Sequence, residues 1–111
     1  MAIQNALVNT TGVDIFTCPG TAVTDEQEHA VTCIMFCNYS VDDETLTIHV
    51  VPSGGSVIDA NKVIVDLSIP AGETFTFDTE KLVLATGDKV HAVTTTADNR
   101  ITSTVSSMRV S

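Results

Sequence analysis

The chain has 111 residues, 43% of them hydrophobic, which suffices for one buried core and not for two. Fourteen acidic residues against five basic ones give a net charge of −9, and the cations Lys62, Lys81, Lys89, Arg100 and Arg109 are scattered. Phosphate backbones are held by clusters of Lys and Arg, so nucleic acid and anionic membrane are not expected partners. No apolar run reaches the roughly 18–20 residues of a membrane span, and Met1–Asn5 has no basic start leading into an apolar stretch. A soluble single domain over residues 1–111, made in a cytoplasm, is the expectation.

In chain order the residues read as short strands. Ala6–Val8 and Val13–Phe16 are brief candidates. His29–Asn38 is apolar on both faces, the pattern of a central strand covered on both sides. Thr45–Val50 alternates with period two and places Leu46, Ile48 and Val50 on one face; Pro52-Ser53-Gly54-Gly55 then breaks the ladder. The next alternation puts Val63, Val65, Leu67 and Ile69 inward and Lys62, Asp66 and Ser68 outward, and Pro70-Ala71-Gly72 turns the chain. Phe75 and Phe77 point inward from the following strand. Leu82–Leu84 is an edge-like piece ending at Thr86-Gly87-Asp88. Lys89–Thr94 and Arg100–Val105 read as a closing hairpin around Ala97-Asp98-Asn99. Eight or nine short strands at such spacing predict an all-β antiparallel β-sandwich of jelly-roll or Ig-like type. Its expected core contains Leu46, Ile48, Val63, Val65, Leu67, Phe75, Phe77, Val90 and Val105.

Chemistry-bearing residues are sparse and badly spaced for catalysis. Cys33 and Cys37 share one strand, roughly 13 Å apart at about 3.3 Å per residue, too far for a disulfide or a shared zinc ion. Together with Cys18 they are expected to be small buried apolar residues. His49 and His91 fall opposite inward apolar neighbours, on the side expected to face solvent, and no histidine stands in a metal-binding spacing. The acidic groups Asp25-Glu26 with Glu28, and Asp42-Asp43-Glu44, read as solvated loops. Ser53-Gly54-Gly55-Ser56 lacks the Lys-Ser/Thr and helix of a phosphate cradle, and Asp78-Thr79-Glu80 has Glu where aspartic proteases need Gly. No catalytic residue, cofactor or metal is expected, and the chain reads as a non-enzyme.

Several elements recur in a recognisable order. Met35-Phe36-Cys37-Asn38 precedes Thr45–Val50 and Val51-Pro52-Ser53-Gly54-Gly55-Ser56; Val65–Ile69 with Pro70-Ala71-Gly72-Glu73-Thr74 follows, then Leu82-Val83-Leu84-Ala85-Thr86-Gly87-Asp88-Lys89-Val90 and a Thr/Ser-rich closing strand. From Val31 to Val105 this resembles the small β-sandwich virion structural proteins of tailed bacteriophages. The resemblance implies a non-enzymatic structural subunit, located in the virion, that binds neighbouring capsid or tail proteins and repeats as a homo-oligomer or lattice. Capsid decoration or cement is the first role it implies; a tail, baseplate or fibre module is the second. A sandwich that recognises glycan or a host surface is the alternative, and it calls for an exposed aromatic or a calcium site, of which the sequence, with one tyrosine, Tyr39, supplies little.

The acidic balance disfavours contact with a packaged genome and favours an outer position. Thr32, Ile34, Phe36 and Val51 are the candidate interface residues, because so apolar a face needs a cover that either the chain or a neighbour must provide.

Overall fold

The computed structural model describes residues 2–21, 24–77, 82–94 and 100–110. Their β-branched, period-two segments form nine strands: β1 (Ala2–Val8), β2 (Val13–Thr17), β3 (Glu28–Asn38), β4 (Glu44–Val51), β5 (Lys62–Ile69), β6 (Thr74–Phe77), β7 (Leu82–Ala85), β8 (Lys89–Thr94) and β9 (Ile101–Arg109). One 3-10 turn, Asp59–Asn61, interrupts the link between β4 and β5.

Two antiparallel sheets result. One has the order β1-β9-β3-β6 with β7 also on β3; the other is β2-β8-β4-β5. β6 and β7 run in succession along the same edge of β3, Phe77 opposite Ile34 and Leu82 opposite Val31. Counted as one edge position, they leave four strands facing four, in the strand order of a jelly roll. The expected all-β sandwich is what the chain forms.

Between the sheets lie Phe16, Ile34, Phe36, Leu46, Ile48, Ile69, Val90, Ile101 and Val105, all at most 3% exposed. Phe36 fits because its cross-strand neighbour on β9 is the small, buried Ser103. Phe75, Phe77 and Leu67 are half-buried against this core. At the open side of the sandwich the Gln4 side chain spans to β2, its amide donating to the Thr17 carbonyl and its oxygen accepting from the Thr17 N–H, both at 3.2 Å. The first strands of the two sheets are thus tied by a side chain that mimics a strand neighbour.

The structure corrects several sequence expectations. Val63 and Val65 are exposed, at 55% and 57%, and Ile64 faces the core instead. Leu46 pairs with Leu67 while Ile48 pairs with Ile64, so Val65 and Asp66 together oppose the single residue Thr47. That bulge exchanges the two faces of β5. Asp66 sits there at φ 53°, its N–H bonded to Thr47 Oγ1 at 3.2 Å.

β8 and β9 are not a hairpin either. β8 pairs with β2 and β4, β9 with β1 and β3, so the two strands lie in different sheets. Two strands of one hairpin and two strands of different sheets leave the same alternation in sequence. The anticipated turn at Ala97–Asn99 and the Asp78–Glu80 segment lie outside the described residues.

Nor is Glu44 a solvated loop residue. It opens β4 at 1% exposure, and its carboxylate accepts from Arg100 Nη1 at 3.2 Å while the same nitrogen reaches Asp42 at 2.6 Å. Glu28 likewise opens β3 rather than lying in a loop.

Candidate assembly interface

The three histidines occupy two separate places. His29 is buried at one end of the core, its ring 6.5 Å from that of Phe16 and its Nε2 3.0 Å from Gln27 Oε1. His49 and His91 lie on the outer face of the four-stranded sheet, as their parity predicts, yet they do not face water. His49 is 4% exposed and the His91 side chain 14%. The turn between β1 and β2 covers His91: Gly12, at φ 97°, packs so closely that a β-carbon there would lie 2.2 Å from Nε2. The link through Asp59–Asn61 packs on β4 beside His49.

Cross-strand pairing lines these groups up. Asp14 is opposite His91, His91 opposite His49, and His49 opposite Lys62. His91 Nδ1 bonds Asp14 Oδ1 at 2.9 Å, Lys89 reaches Asp14 Oδ2 at 3.6 Å, and Lys62 pairs with Asp59 at 3.1 Å. An Asp–His pair is half of a base-activation relay, but His91 Nε2 abuts the Gly12 backbone, where a nucleophile would have to stand. Burial, then the neighbouring His91 and Lys62, hold the His49 pKa below its ordinary value. The row acts as a structural clasp over β4.

The outer face of the five-stranded sheet differs in kind. Its residues pair in rows across β1, β9, β3 and β6: Leu7–Thr102–Cys37–Thr74, then Asn5–Thr104–Met35–Thr76. Ile3–Ser106–Cys33 forms the next row and Met108–Ala30–Val83 the one after, beyond which the exposed Glu28 pairs with Ala85 at the end of β3. Among the described residues the four rows before Glu28 carry no Asp, Glu, Lys, Arg or His, in a chain of net charge −9. Ile3, Val83, Met108, Leu7 and Met35 are exposed there, from 64% down to 39%. Hydroxyl and thiol groups fill the centre. Cys33, Cys37 and the buried Cys18 are free thiols.

The residues expected to meet a partner lie elsewhere. Ile34, Phe36 and Val51 are 3%, 0% and 0% exposed. Ile34 and Phe36 belong to the core between the sheets, and Val51 lies under the β4–β5 link, where Gly55 passes over it. Thr32 sits at a bulge in β3, its hydroxyl bonded to the Ser106 carbonyl at 3.1 Å and half-buried. The chain itself covers that side of β3.

The expectation that β3 is covered on both sides is therefore corrected: one face packs inward, and the other presents Met35 between Cys33 and Cys37. The right strand was legible but the exposed parity was not. A usable signal existed in β9, whose alternate residues Thr102, Thr104 and Ser106 are uncharged and hydroxylated, where a solvent-facing strand of an acidic protein ordinarily carries charge.

Compared with models of known protein families and with curated proteins, the chain returns no match.

Proposed function

We propose that this chain is a non-enzymatic structural protein of a tailed-bacteriophage virion, and that it serves as a capsid decoration subunit docked on neighbouring virion proteins. The observation that carries the reading is the run of uncharged rows across the centre of the five-stranded sheet's outer face. Solubility at net charge −9 comes from carboxylates at its end, on Glu28, and over the remaining surface, so an uncharged centre is suited to being covered. The ordered motifs from Val31 to Val105 support the virion assignment, and the jelly-roll strand order is one that capsid domains use. Fold alone does not specify the role. The acidic surface supports a position outside the packaged genome.

The test is fractionation of purified particles from the source phage. The protein should band with intact capsids at fixed stoichiometry, in many copies, and a particle reconstruction should seat it on the outer shell. Recovery only in isolated tails would move it to the tail, baseplate or fibre. Its absence from particles, with binding to a glycan array instead, would replace the reading by surface recognition.

A further inference from the structure

We propose that the outer face of the five-stranded sheet is a homodimer interface, occupied by the same face of a second copy of this chain. The inference rests on the assembly reading above and names its first partner. An isologous contact sets a patch against itself, so the patch must be self-complementary. A face whose centre carries carboxylates without cations free to meet them fails that condition, since like charges oppose each other across a low-dielectric seam.

Among the described residues, the second sheet's outer side carries Asp14, Asp59 and Asp66, with Lys89 and Lys62 already paired to the first two, and the loop ends carry Asp42, Asp43 and Glu26. The rows centred on Met35 and Thr104 allow two chains of net charge −9 to approach without pairing acid with acid, Glu28 lying beyond them at the end of β3. A partner of different sequence would recognise so acidic a domain most readily through opposite charge, which this face does not offer.

Size permits the contact. Three strands of seven, nine and eleven residues, with the four-residue β6 and β7 sharing a fourth position, stand about 4.8 Å apart and cover a footprint of about 500 Å², so two faces bury about 1,000 Å², at the threshold of a specific interface. Exposed Met35, Ile3 and Leu7 supply the apolar anchors, and Met side chains adapt to the partner's relief.

Sedimentation velocity of the full chain over a range of concentrations tests this. The expected result is a reversible dimer. Met35→Lys, with its cross-strand neighbours unchanged, should weaken dimerisation at least tenfold while leaving the circular dichroism spectrum and melting temperature as they are. Ile3→Lys at the far row should act in the same direction. Val65→Lys, equally exposed on the other sheet, should leave the dimer intact. A chain monomeric throughout, or a dimer indifferent to both face variants, overturns the proposal. If the monomeric chain is still found on particles, the assembly reading stands and only the partner is wrong. A dimer never found on particles leaves the pairing standing and removes the virion role.

Discussion

His49 and His91 face each other across β4 and β8 with ring centroids 6.0 Å apart and planes inclined at 74°. Asp14 holds the outer ring through its Nδ1, whereas the buried Nδ1 of His49 has no hydrogen-bond partner among the described residues. Burial and the neighbours of His49 favour its neutral form. A proton on it would stand beside Lys62 and the His91 ring, and Asp59, which would favour that proton, already pairs with Lys62.

Stability should therefore fall on acidification. Well above pH 6.5, the ordinary histidine value, His49 is neutral in folded and unfolded chains alike and contributes no slope. Below it the unfolded chain takes up a proton that the folded chain refuses, and the loss grows until the pH passes the lower folded value. His49→Leu should flatten this part of the profile. Urea midpoints between about pH 7.5 and about pH 5 measure it, and an identical slope in the variant would remove His49 from the account.

Phe36 and Phe77 should separate clearly in a truncation experiment. Phe36 is fully buried next to Ser103, so Phe36→Ala leaves a cavity the small neighbour cannot fill and should cost about 3–5 kcal/mol. Phe77 is half-buried at the sheet edge, and Phe77→Ala should cost about 1–3 kcal/mol, since the site was partly wet already. Equal costs in denaturant unfolding would mean that the burial difference does not govern these rings.

How much was legible follows from what period two can and cannot record. Alternation found the strands and the inward faces of β4 and β8, because Leu46, Ile48 and Val90 stand in unbroken register. It failed on β5, where the extra residue at Val65–Asp66 exchanges the faces without leaving a Gly or Pro to mark the place. Pairing across sheets was equally silent, since β8 and β9 look like a hairpin to any rule that sees only neighbours. For β3, apolar residues on both faces left the choice of exposed side to tertiary context. Phe36 against Met35 is a difference of one position, and packing decided it.

The bulge in β5 makes its own prediction. Asp66 occupies the left-handed region, which Asp and Gly tolerate and β-branched residues do not. Asp66→Gly should change stability by less than about 0.5 kcal/mol, whereas Asp66→Val should cost about 1–2 kcal/mol. Val65→Thr should be close to neutral, because its side chain is exposed. A large loss at Val65 with none in Asp66→Val would restore the unbulged register.

Asn38 should prove the most sensitive polar position. It is fully buried at the end of β3, and its side chain uses every hydrogen-bonding group it has. The amide nitrogen donates to the Asp42 and Ile69 carbonyls at 2.8 Å each; the oxygen accepts from the Ser40 N–H at 3.0 Å and the Ser40 hydroxyl at 2.7 Å. One residue of the first sheet thereby fastens the β3–β4 loop and the end of β5 in the second. Its own backbone extends the clamp, accepting from Gly72 N–H at 2.8 Å and donating to the Glu73 carbonyl at 3.0 Å. Asn38→Ala keeps the backbone part but strands buried carbonyls, which should cost about 2–4 kcal/mol. Asn38→Asp tests the direction of the bonds, since it retains the acceptor for Ser40 and loses both donors. It should destabilise nearly as much as Ala and release amide exchange at Ser40 less. A loss below about 1 kcal/mol in both variants would show that the sheets are joined here by apolar packing alone.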